Sequence, residues 1–212
     1  MTPDPNQLTR GEQTRQAIII AAHAVFMQYG YHGTSMRQIA RQAGLAVGGI
    51  YNHFASKEEI FSAVLDAYHP HQIVMPALQS VEGNTAKETI SNVANAIRPQ
   101  LFESIEKIIP IALIELMEFR GQHLKQLFSR NFSHLDAFFQ RLRTQSDTFR
   151  DFSNTQLILS FVSFFFGYLV TSFFLKDLPL VRDSGEKSFD VLLDIYLHGV
   201  LKNETKDDKT ST

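Results

Sequence analysis

Residues 30–57 read GYHGTSMRQIARQAGLAVGGIYNHFASK, and this stretch decides the fold. Ser35 can cap a short helix while Gln38 reaches back three residues later, a capping box. Met36, Ile39, Ala40 and Ala43 then form one apolar face, and Gly44 supplies a left-handed stop. Leu45 and Ala46 alone separate it from a third helix, expected over Val47 to Phe54. Two helices of about two turns joined by a glycine-containing turn make a helix-turn-helix. Ala40 is small where the helices cross, and Ile50 is the apolar plug of the second.

Outward from this stretch the chain continues as helices. Thr9 and Glu12 form a capping box that opens the first one. Ile18, Ala22, Val25, Phe26 and Tyr29 follow as its apolar stripe. Ser56-Lys57-Glu58-Glu59 opens a helix through Ile60, Phe61, Val64, Leu65 and Tyr68, which Pro70 ends. Thr85 and Glu88 cap another, with Ile90, Val93, Ala94, Ile97 and Leu101 on one face. A stripe of Ile111, Ile114, Met117 and Phe119 continues after Pro110. An amphipathic segment over 124–142, a nearly all-apolar one over 154–175 and a last helix over 184–202 follow, and residues 203–212 read as a solvated tail. No stretch alternates as a strand, so the fold class is all-α.

Charge divides the 212 residues unevenly. Residues 1–57 hold five Lys/Arg against two acids, although the whole chain is −2. A basic head on an acidic body points to a small module facing a polyanion. Of the 18 Phe, 15 lie beyond residue 100, so the body carries the bulky core. The absence of cysteine excludes disulfide scaffolds, thiolate metal sites and cysteine nucleophiles, and fits a reducing compartment. The polar start of the chain does not read as a secretory signal.

The 30–57 stretch, with Tyr51-Asn52-His53-Phe54 and Ser56-Lys57-Glu58-Glu59, resembles the DNA-binding region of TetR-type transcriptional regulators over residues 10–68. The resemblance implies a helix-turn-helix domain over 1–55, a helical effector-binding and dimerisation domain over 56–202, and the tail. It implies phosphate contacts from Thr34, Ser35, Tyr51, His53 and Lys57, which set register. Base contacts fall to Arg37, Val47, Gly48, Gly49 and Asn52, with Arg37 able to fork onto guanine and Asn52 to pair with adenine. It also implies a cytoplasmic homodimer that binds a double-stranded DNA operator and a small hydrophobic or amphipathic effector. Phe161, Phe165, Gly167, Phe189 and Tyr196 would fill its dimer seam.

Three departures from the family pattern stand out. Ala46 stands where a capping serine is frequent, at a cost of about 1 kcal/mol. Val47 replaces a frequent Lys or Arg. Gly48-Gly49 adds about 1 kcal/mol each against alanine, and the expectation is a recognition helix that orders fully only on DNA.

Other motifs have plainer readings. His69-Pro70-His71 has metal-ligand spacing but no third ligand nearby, and reads as solvent-exposed. Glu115 and Glu118 read as a solvated helix face. The uncharged run 157–175 reaches membrane-spanning length, yet reads as a buried or subunit-facing helix, with no membrane as partner. No phosphate loop, nucleophile elbow or zinc-protease motif occurs, so no enzyme, no metal and no cofactor are expected. The functional expectation is a ligand-responsive repressor on a palindromic operator. The alternative is a helical protein that binds a hydrophobic ligand without an operator, and activator action stays open.

Overall fold

The computed structural model describes residues 8–145, 149–179 and 185–202, so the tail lies outside the described residues. Nine α-helices are present among them: α1 Arg10–Tyr29, α2 Met36–Gln42, α3 Val47–Tyr51, α4 Lys57–Tyr68, α5 His71–Ser80, α6 Ala86–Phe119, α7 Gln122–Gln145, α8 Asn154–Leu175 and α9 Gly185–Val200. The described residues contain no strand, only an isolated bridge between Phe149 and Leu201. The chain is all-α.

Local signals fix the helix starts. Thr9 and Glu12 close their capping box on α1, as Ser35 and Gln38 do on α2. Ser56 accepts from the Glu59 N–H at the start of α4, and Ser153 with Gln156 boxes α8. Gly44, at φ 68, turns the chain out of α2. One expectation fails. The third helix ends at Tyr51, three residues early, with no side-chain cap at Ala46. Pro110 does not break the chain: α6 runs as one helix through Pro99 and Pro110 to Phe119.

The helices assemble into two compact units. The first takes residues up to Gln72 together with Lys107–Phe128. It therefore does not stop at residue 55. The reason is burial: Ile60, Phe61, Val64 and Leu65 of α4 complete a core with Ile18, Ala22, Val25 and Phe26 of α1. Ile39 and Ala40 of α2, Ile50 of α3, Ile111 and Leu127 fill the rest. Tyr29, expected in the stripe, is instead exposed.

The second unit takes Ile73–Glu106 and the described residues from Ser129 onward. Leu157, Ile158, Phe161, Phe165, Tyr168 and Leu169 form the buried side of α8, and Phe189, Leu193 and Leu197 that of α9. Rings interlock across these helices, with Phe164 stacked on Tyr196 at 5.3 Å and Tyr168 edge-on to Phe189 at 5.0 Å. Burial pushes the Tyr196 phenol up to about 12, and its hydroxyl lies inside the unit. α8 is long and apolar enough to cross a membrane by length and composition. Its buried side faces this core, while Leu159, Phe166 and Phe174 remain exposed.

Candidate nucleic-acid interface

α2 and α3 carry the outward-facing groups of the first unit. Arg37 is exposed on α2, and Ser35 at the start of that helix is exposed as well. Tyr51, at the end of α3, is 54% exposed, and Asn52 beside it is exposed. His53 is half-buried, and Val47 leans partly against the core. At Gly48 and Gly49 an added Cβ would meet nothing within 4 Å. The outer edge of α3 is therefore bare backbone, open to a close approach.

Two residues expected at phosphates are engaged within the protein. Thr34 is 3% exposed, and its hydroxyl donates to the Gly30 carbonyl at 2.7 Å. The side chain closes the α1–α2 turn and does not reach solvent. The Lys57 ammonium donates to the Tyr31 carbonyl at 2.7 Å and the Thr34 carbonyl at 2.8 Å, and lies 4.3 Å above the Tyr31 ring. Desolvation lowers its pKa, against the pull of Glu118. Lys57 thus ties the start of α4 to the turn before α2, with one N–H left over.

Arg15 is the residue that sequence reading counted only as charge. Its guanidinium lies 3.9 Å from the centre of the Phe54 ring, and Nη1 donates to the His53 carbonyl at 2.9 Å. α1 thereby caps the chain just after α3 and fixes the tilt of the short helix. A partner 38 residues away leaves no local signal.

Because open space surrounds both glycines, Gly48→Ala with Gly49→Ala should stabilise α3 by up to about 1 kcal/mol each. The midpoint of thermal unfolding should rise by roughly 4–8 °C. An unchanged or lower midpoint in calorimetry contradicts the open-space account.

The geometry defines an all-helical protein with a helix-turn-helix head. Residues 18–64 match the family model for bacterial regulatory proteins of the tetR family. The head thus resembles that family over residues 18–64. The transcriptional activator FasR of Mycolicibacterium smegmatis is 39% identical over 80 residues, 38% of this chain and 36% of FasR. The match thus spans little more than a third of that relative. A putative TetR-family regulator from Mesorhizobium loti superposes with a TM-score of 0.67 at 21% identity, over 92% of this chain and all of that one. The complex of SmeT with triclosan superposes at 0.64 with 19% identity, over 91% and 93%. SmeT is the repressor of a Stenotrophomonas maltophilia multidrug efflux pump. These two likenesses show the fold.

Proposed function

We propose that the chain is a dimeric, ligand-responsive repressor that binds a palindromic operator through α2 and α3. The observation that carries this is the exposure of Arg37 on α2 and of Tyr51 and Asn52 at the end of α3, with open space over Gly48 and Gly49. Arg37 reads guanine, and Asn52 reads adenine. Ser35, Tyr51 and His53 hold phosphates and set the register. Lys57 and Thr34 act behind them by fixing the turn that presents α2.

Two heads on one operator require self-association. Leu159, Phe166 and Phe174 on α8, with Val191, Leu192 and Ile195 on α9, are all at least 40% exposed. Apolar surface of this kind favours burial against a second copy. Phe161, Phe165 and Phe189 are buried inside their own subunit. They support the interface from behind, while Gly167 lies exposed on the same helix. Half-sites then fall about one helical turn, or a multiple, apart. A small hydrophobic effector in the helical body, by analogy with triclosan in SmeT, releases the operator by favouring another head spacing. Such a regulator works in the cytoplasm.

The test is a random-sequence selection followed by anisotropy on the selected DNA across a salt series. The parent should prefer one palindromic site, with a steep salt slope. Arg37→Ala should lose about 1–3 kcal/mol at one base position and relax the preference there. A selection that returns no site refutes the regulator and leaves a ligand-binding helical protein.

A further inference from the structure

We propose that His69 and His71 form a two-imidazole chelate for a divalent transition-metal ion at the break between α4 and α5. The site lies within the first unit and takes no part in the DNA-facing edge. α4 stops at Tyr68, and His69 is extended at ψ 141, as a residue before proline prefers. Pro70 then turns the chain, and α5 opens at His71.

Side chains two apart along an extended segment share a face. Here the turn brings them together. The two Nδ1 atoms face each other at 3.1 Å, with the rings tilted by 41°. Nitrogens that close share a proton or a cation. Metal–nitrogen bonds of about 2.0–2.1 Å, at angles between square and tetrahedral, place ligand atoms roughly 2.9–3.4 Å apart. The observed separation falls in that interval.

The other face of His71 carries a further sign. Its Nε2 lies 3.6 Å from Oδ1 of Asp66, on the last turn of α4. A carboxylate behind a ligating imidazole fixes the ring and raises its basicity. The His71 side chain is only 12% exposed, so the pair is sheltered and does not have the solvated character its sequence implied. Binding displaces the proton between the two nitrogens. It also replaces the hydrogen bond that the His71 backbone N–H donates to His69 Nδ1 at 3.2 Å.

No group of three or more ligating side chains occurs among the described residues. The ion therefore keeps water in its remaining positions. An open pair of imidazoles takes Cu²⁺ most tightly, ahead of Ni²⁺ and Zn²⁺.

The full chain is titrated with Cu²⁺ and followed by electron paramagnetic resonance, and with Zn²⁺ by calorimetry. One ion per chain is expected, with hyperfine coupling from two imidazole nitrogens. His69→Asn and His71→Asn should each weaken binding at least a hundredfold, and Asp66→Asn about tenfold. Circular dichroism melts establish that the variants fold. The spectrum of the unaltered protein counts coordinated nitrogens without any substitution. No binding, coupling from fewer than two nitrogens, or affinity unchanged in both histidine variants overturns the proposal. In the last case the ion sits at another of the eight histidines.

Discussion

Replacing Glu115 by alanine should cost the protein about 2–6 kcal/mol of stability, because it strips a buried backbone N–H and a buried imidazole nitrogen of their partner. Glu115 is fully buried, contrary to the solvated face its sequence position implies. Its Oε1 accepts the backbone N–H of His123 at 2.8 Å, at the start of α7. Its Oε2 lies 2.8 Å from Nδ1 of the same histidine. Arg120 and Gly121, both at positive φ, form the tight turn that brings the two residues together. Glu58 flanks the other ring nitrogen of His123 at 3.7 Å. Alanine leaves these donors buried without an acceptor. Glu115→Gln keeps an oxygen in place and should lose only about 1–2 kcal/mol. Urea unfolding of the two variants side by side checks both figures. A loss below 1 kcal/mol for the alanine variant sinks the account.

Phe61→Ala should cost about 3–5 kcal/mol, as for large aromatic truncations in packed cores. Phe61 is fully buried at the centre of the first unit. It meets Phe26 edge-on at 5.3 Å, Tyr31 edge-on at 5.5 Å, and stacks on Phe119 at 4.9 Å. His123 lies against its rim at 6.1 Å. Removing the ring deprives four neighbours at once, and they belong to different stretches of chain, which limits collapse into the void. Thermal unfolding should move down by roughly 6–20 °C. Phe61→Leu, which conserves much of the volume, should cost less than about 1.5 kcal/mol. Equal losses for the two variants contradict the packing argument.

What the sequence made legible was local. The capping boxes at Thr9 and Ser35 and the glycine at 44 each act within a few residues, and each stands where it was expected. Partnerships across long separations were not legible. Lys57 carries the motif of a phosphate-binding lysine, but its carbonyl partners lie 26 and 23 residues back. Glu115 looks like one more surface acid until the turn at Gly121 delivers His123 to it. The extension of the first compact unit past residue 55 was not legible for a similar reason. Periodicity shows that α4 has an apolar face, but not that α1 covers it.

The vacant space at positions 48 and 49 bears on how such a head diversifies. Most outward positions of a small domain are constrained because a new side chain collides with a neighbour. Here any Cβ enters open solvent, and helix propensity favours its arrival. Substitutions at these two sites can therefore accumulate without a folding penalty, whatever they do to the ligand preference of the surface. For protein engineering, the pair is a natural place to randomise: in a library that omits proline no Cβ clashes with the fold, so selection acts mainly on recognition.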